Sequence, residues 1–164
     1  MARLLIVGCG CRGRVLGRAL RADGHAVRGT TRDPGRTAGV EAGGMEAWVG
    51  DPARIATLTD ALDAVTVLCW LLGSAQGDDQ AVGALHGPRL QRMLEETVDT
   101  TVRGVVYEAS GSVADEHLRG GTAIVRQAHE TWSIPVALLR RDPAAGQDAW
   151  LSDATGAVRG LLEG

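Results

Sequence analysis

The apolar run Leu4-Leu5-Ile6-Val7 stops abruptly at Gly8-Cys9-Gly10-Cys11-Arg12-Gly13, and an amphipathic stretch begins at once. In that stretch Val15, Leu16, Ala19 and Leu20 form one apolar stripe, while Arg14, Arg18 and Arg21 fall on the other side. Glycines at G-x-G-x-x-G spacing between a strand and a helix restrict the chain to few folds. Gly8 permits a tight turn, Gly10 lets the backbone come close to a pyrophosphate, and Gly13 lets helix and strand pack together. The free N–H groups and positive dipole end of the helix that starts there can hold an anion. A β-α-β unit of about 30 residues with such a loop is expected to take a dinucleotide, the plain alternative being a glycine-rich turn without a ligand.

The rest of the chain repeats the alternation. Strands are expected at Leu4–Val7, Ala26–Thr30, Glu46–Val49, Ala64–Trp70, Gly104–Glu108 and Val136–Arg140. Several are apolar on both faces, as strands within a parallel sheet are. After the first helix, further helices are expected at Pro34–Ala42, from the Asp51-Pro52 cap to about Leu62, at Asp79–Thr100, at Asp115–Trp132 and at Asp148–Leu162. Strictly alternating elements give an α/β protein, a doubly wound parallel sheet in a Rossmann-type three-layer α/β/α arrangement. At 164 residues it forms one domain over 1–164, long enough to bury roughly two thirds of its unfolded surface.

The net charge of −3 argues against a nucleic-acid partner. All 17 basic residues are arginine, so no mechanism on this chain uses a lysine amine. The longest apolar stretch, near Val65–Leu72, is far short of the ~20 residues of a membrane helix. With three cysteines and no secretion signal, a cytoplasmic, reduced protein is expected.

Which dinucleotide the loop would hold is written after the second strand, in Thr30-Thr31-Arg32-Asp33 with Arg36 one turn on. A carboxylate there accepts from a ribose 2′-hydroxyl and selects NAD. A guanidinium suits a 2′-phosphate, to which a threonine hydroxyl can also donate. Thr31, Arg32 and Arg36 favour NADP, while Asp33, one residue away, keeps NAD open. The plain alternative is a pair of exposed loop arginines.

Several segments together resemble a known family. Arg3–Leu16 and Gly24–Arg36, with Val49–Ala53 (V-G-D-P-A), Val105–Ser112 (V-V-Y-E-A-S-G-S) and Ile134–Arg140 (I-P-V-A-L-L-R), resemble the extended and atypical branch of the short-chain dehydrogenase/reductase superfamily, which includes epimerase/dehydratase-like and NmrA-like proteins. The resemblance implies that Asp51 approaches the adenine, that Leu72, Gly73 and Ser74 pass the cofactor ribose, and that the fourth and fifth helices pair in a homodimer. Ala81, Leu85, Leu90, Met93 and Leu94 would serve that interface, although core packing explains them equally.

Two departures bear on activity. The family's Tyr-x-x-x-Lys pair aligns with Thr122 and Arg126, counted back from Glu130. A threonine cannot act as acid or base near neutral pH, and arginine does not release its proton. The sole tyrosine, Tyr107, lies in the fifth strand. Little chain follows Arg140, so a sugar-nucleotide pocket of the epimerase kind is not expected.

Other candidates are weaker. Ser110 and Ser112 leave the fifth strand at the edge where ligands bind in such folds, and His117 stands near it, so a hydroxyl or imidazole could act there; turn serines and a surface histidine are the plain alternatives. Cys9-x-Cys11 lacks further ligands at metal spacing, so no metal is expected. Cys11, beside Arg12 at the helix start, could be oxidation-sensitive or simply fill the loop. Two functions follow. One is a small NAD(P)H-dependent oxidoreductase acting on a flavin- or quinone-like or small carbonyl acceptor. The other is a non-catalytic NADP(H)-binding sensor or regulatory protein.

Overall fold

The computed structural model describes every residue, Met1–Gly164. Six strands form one parallel sheet: β1 (Arg3–Val7), β2 (Ala26–Thr31), β3 (Glu46–Val49), β4 (Val67–Trp70), β5 (Val105–Glu108) and β6 (Val136–Leu139). Their order is β3-β2-β1-β4-β5-β6. Six α-helices connect and cover them: α1 (Cys11–Ala22), α2 (Thr37–Glu41), α3 (Asp79–Leu85), α4 (Pro88–Thr97), α5 (Asp115–Trp132) and α6 (Gln147–Glu163).

Both sheet faces are buried because the strands are apolar in both phases of the pleat. Leu4 and Ile6 of β1 point to one core, where they meet Leu16 and Leu20 of α1 and Trp150, Ala154 and Val158 of α6. Leu5 and Val7 point to the other, against Leu90, Met93 and Leu94 of α4 and Val125 of α5. The chain leaves β1 toward β2 and β3, then crosses back to place β4 on the opposite side of β1. The loops after β1 and β4 therefore diverge at the C-terminal edge, which is where ligands enter such sheets.

Three expectations need correction. The fourth strand begins at Val67, because Ala64 takes a left-handed φ of 60° in the turn before it. The third crossover is not an α-helix but two 3₁₀ turns, Ile55–Thr57 and Thr59–Leu62. There the Thr57 hydroxyl donates to the Arg54 carbonyl at 2.7 Å and accepts from the Asp51 N–H at 2.8 Å, so side-chain bonds replace helical ones. The long fourth helix is broken into α3 and α4 at Gly87, since Pro88 excludes helical backbone before it and has no N–H to give. Of the five residues named for a helix interface, Leu90, Met93 and Leu94 are wholly buried in the chain's own core, Leu85 is half-buried and Ala81 is exposed.

Candidate functional site

The glycine loop sits where the two sets of crossovers part. Gly8 has φ 91°, and a Cβ there would lie 2.3 Å from the Leu71 carbonyl oxygen, so the β1 loop rests directly on the β4 loop. A Cβ on Gly13 would lie 2.8 Å from the carbonyl oxygen of Gly8, which is the close helix–strand contact. Gly10 differs: its φ is −83°, and a Cβ there would meet no protein atom within 4 Å. Fold and backbone account for Gly8 and Gly13, whereas nothing in the chain calls for glycine at 10. Gly10 is the N-cap of α1 and offers no side chain to the helix's first N–H groups, and the first turn holds no acid. Open space above an uncapped helix N-terminus is a cradle of the kind a diphosphate fills.

The two thiols of the loop part company. Cys9 turns into the core, its sulfur 2.7 Å from where a Cβ on Gly29 would stand, and burial raises its thiol to about 11. Cys11, the first residue of α1, is exposed. Cys69, in β4, is fully buried and raised to about 12.

Beside the loop lie two adjoining hollows. One, of about 190 Å³, is mostly apolar and is lined by Leu72, Ala75, Ala81, Val82 and Leu85 with Arg32 and Asp51 at its mouth. The other, of about 650 Å³, is polar and bounded by Thr31, Arg32, Asp33, Arg36, Asp51 and Gln76. Arg32 and Asp51 belong to both. Asp33 is already engaged: its Oδ1 accepts the Gly35 N–H at 2.8 Å, and its other oxygen stands 3.8 Å from Arg36 Nε. Arg32 makes no ion pair. The sequence-derived residues Gly8, Gly10, Cys11, Arg12, Gly13, Thr31, Arg32, Arg36, Asp51, Leu72 and Gly73 thus share one edge of the sheet.

The remaining three candidates follow β5, with Ser110 lying against Gly73 at the same edge. The Ser110 hydroxyl donates to the Arg141 carbonyl at 2.7 Å, tying the β5 loop to the end of β6. Ser112 donates its backbone N–H to Ser74 Oγ at 3.2 Å. His117 lies between α3 and α5, its Nε2 2.8 Å from Asp79 Oδ1 and its ring over Gly83. None of the three pairs with another.

Two buried titratable groups near this edge, Glu108 and His86, escaped the sequence reading. Glu108, on the same phase of β5 as Val106, is 1% exposed beneath the glycine loop. Its Oε1 accepts the Gly73 N–H at 2.8 Å, while Oε2 has no partner, and neither do the buried Arg12 Nε and Trp150 Nε1. Burial pushes the Glu108 carboxyl above its ordinary range; the Gly73 N–H, the Arg12 charge and the nearby indole of Trp150 oppose that shift without cancelling it. The indole favours the anion by proximity, though it closes no hydrogen bond. An acid ending an otherwise apolar strand was the available signal. The second group is His86, turned inward at the α3–α4 break. Its Nδ1 lies 2.6 Å from the Tyr107 hydroxyl and its Nε2 2.8 Å from the Leu72 carbonyl.

The Glu108 shift has a readable consequence. In the folded state the carboxyl holds its proton to higher pH than in the unfolded chain, whose glutamates titrate near ~4.3. Its contribution to stability is therefore full below that range and is lost as pH rises through the raised folded value. Glu108→Gln keeps an acceptor for Gly73 and cannot ionise, so the difference in Tm between variant and parent should grow in the variant's favour with rising pH. A difference that stays constant across the series would mean Glu108 does not titrate in the fold.

No sequence-family model matches the chain, and no curated protein matches it. Solved structures do. The chain is similar to a short-chain dehydrogenase/reductase superfamily protein from Agrobacterium tumefaciens with bound NAD, at 22% identity and a TM-score of 0.70, over 84% of this chain and 48% of that one. It is similar to UDP-glucuronic acid 4-epimerase from Bacillus cereus in complex with NAD, at 18% identity and 0.69, over 85% and 55%. It is similar to the Citrobacter triphenylmethane reductase complexed with NADP(H), at 18% and 0.65, over 85% and 49%. The chain spans about half the length of these proteins. The likeness is one of fold.

Proposed function

We propose that the C-terminal sheet edge binds NADP(H), with the diphosphate over Gly10 and the first turn of α1. The adenosine occupies the hollow between Leu72, Asp51 and Ala81, and the 2′-phosphate meets Arg32, Arg36 and the Thr31 hydroxyl. The observation that carries this reading is Gly10, whose missing side chain leaves room that the chain itself does not use. Arg12 adds a positive charge at the same helix start. The engagement of Asp33 with Gly35 and Arg36, beside an Arg32 without an ion pair, favours NADP over NAD. No helix is long and apolar enough to cross a membrane.

When bound, NADPH supplies a hydride. The residues of this chain bind and orient it, and the acceptor, flavin- or quinone-like or a small carbonyl compound, takes its proton from water, because Thr122 and Arg126 provide no acid. On this reading the protein is a small NAD(P)H-dependent oxidoreductase. A second reading, a non-catalytic NADP(H)-binding sensor, is favoured by the β4 and β5 loops. They touch backbone to backbone: the Val113 N–H donates to the Gly73 carbonyl at 3.0 Å, and a Cβ on Gly111 would lie 2.1 Å from that same oxygen.

Calorimetry with NADP⁺, NADPH and NAD⁺, followed by NADPH turnover against flavins and quinones, separates these readings. Tight binding with turnover supports the oxidoreductase, and tight binding without it supports the sensor. Absence of binding by all three nucleotides removes both. Arg32→Ala should weaken NADP⁺ at least about tenfold, the worth of one charge-assisted hydrogen bond, and leave NAD⁺ within about twofold. Equal losses would show that Arg32 does not read the 2′-phosphate.

A further inference from the structure

A third hollow opens at the same edge of the sheet, on the far side of β5. It has a volume of about 420 Å³ and lies between the Asp115–Arg126 part of α5 and the ends of β5 and β6. Ala109 directly follows β5 and Arg140 directly follows β6, so the hollow faces the edge where the glycine loop stands. Asp115, Arg119, Thr122 and Arg126 line it from α5 at spacings of four, three and four, a single stripe along the helix. Arg140 closes the opposite wall. None of Arg119, Arg126 and Arg140 makes an ion pair, and Asp115 is the lone acid among the lining residues. The Thr122 hydroxyl donates to the Leu118 carbonyl at 2.9 Å, which leaves the guanidinium groups as the donors that face the space.

In a chain of net charge −3, three arginines converging on one concavity run against the average. Each guanidinium presents a planar fork that matches a carboxylate or phosphate, and several forks around one space hold an oxyanion far better than one on an open surface. The volume lies in the range of small-molecule sites, roughly 300–1,000 Å³.

We propose that this hollow binds a small oxyanion-bearing molecule, a carboxylate or a phosphate ester, through Arg119, Arg126 and Arg140. The anion site stands without the dinucleotide reading; its use as the substrate side of a reaction at this edge rests on that reading. Arg126, where the resemblance puts the superfamily's lysine, then belongs to an anion clamp, and the anionic part of the substrate is what α5 recognises.

The test is titration calorimetry of the full chain with citrate and, separately, with inorganic phosphate, on the parent, on Gly10→Val to block the glycine loop, and on Arg119→Ala, Arg126→Ala and Arg140→Ala. The three arginines are exposed, so unchanged thermal melts are expected to confirm folding. One-to-one binding that persists in Gly10→Val and drops at least about tenfold in each arginine variant is the expected result. Preference for citrate assigns a carboxylate ligand, and preference for phosphate a phosphate ester. No binding of either probe by the parent overturns the proposal, as does binding lost in Gly10→Val and kept in the arginine variants. A separate NADP⁺ titration of the parent reports on the dinucleotide reading, so either can fail alone.

Discussion

Gly10→Val is expected to fold as the parent does and to lose NADP⁺ affinity by at least about a hundredfold, equivalent to about 2.7 kcal/mol. The reasoning separates two jobs that glycine performs in one loop. At Gly10 the backbone has an ordinary φ of −83° and a side chain would meet no protein atom, so the fold tolerates it. The cost to stability should not exceed about 1 kcal/mol, the difference between a glycine and an aliphatic N-cap. On the proposed function, the same branched side chain stands where the diphosphate approaches the helix start. Gly8→Val is the contrasting variant. Its φ of 91° and the 2.3 Å approach to the Leu71 carbonyl mean that the chain cannot keep both loops in place. Gly8→Val should therefore unfold or melt far below the parent, while Gly10→Val melts beside it and fails only to bind. Full NADP⁺ affinity in Gly10→Val would remove the observation on which the proposed function rests.

Gly121→Ala is expected to destabilise the fold by about 4 kcal/mol, a large part of the 5–15 kcal/mol typical of a domain. The added methyl would fall 1.9 Å from the hydroxyl oxygen of Tyr107 and 2.5 Å from its ring carbon. Tyr107 is fully buried and cannot yield without breaking its bond to His86. The Leu72 carbonyl can only accept, so His86 carries its proton on Nε2 and accepts the Tyr107 O–H on Nδ1. Burial keeps the ring neutral by lowering its pKa, partly opposed by the Leu72 bond and assisted by the charge of His117. Overpacking costs about 1–3 kcal/mol, and leaving a buried imidazole nitrogen unpaired costs a similar amount. Tyr107→Phe alone should cost about 1–3 kcal/mol, and combined with Gly121→Ala it should recover part of the loss, since the hydroxyl goes and the ring carbon stays. Strict additivity of the two in chemical denaturation would show that α5 and Tyr107 are not in contact.

The order of elements was legible because each one is announced locally. Leu4–Val7 followed by three glycines gives β1, the loop and α1 in one reading, and strand ends agree with the structure within a few residues throughout. The errors fall where local signals compete. Asp51-Pro52 is a sound start for a helix, but Thr57 spends its hydroxyl on the same backbone groups, so 3₁₀ turns form instead. The fourth helix reads as one amphipathic stretch, and Pro88 divides it. The residues proposed for the dinucleotide lie within short motifs, so their shared edge could be foreseen. Glu108 was signalled only as an acid ending an apolar strand and His86 not at all, because their importance comes from Gly73, Arg12, Tyr107 and Leu72, distant in sequence and brought to them only on folding.

The sequence by itself determined the class of fold, the parallel alternation and the strand-to-helix turn at Gly8–Gly13, since these depend on apolar periodicity and on glycines at fixed spacing. Tertiary structure alone decided which glycine serves the fold and which leaves space, that His117 answers to Asp79, that a carboxyl is buried under the loop, and that Arg119, Arg126 and Arg140 face one hollow. The physical reason is that burial and charge convergence are properties of packed neighbours. A strand or a turn is written in adjacent residues, whereas the environment of a side chain is fixed only when the sheet brings remote segments to the same edge.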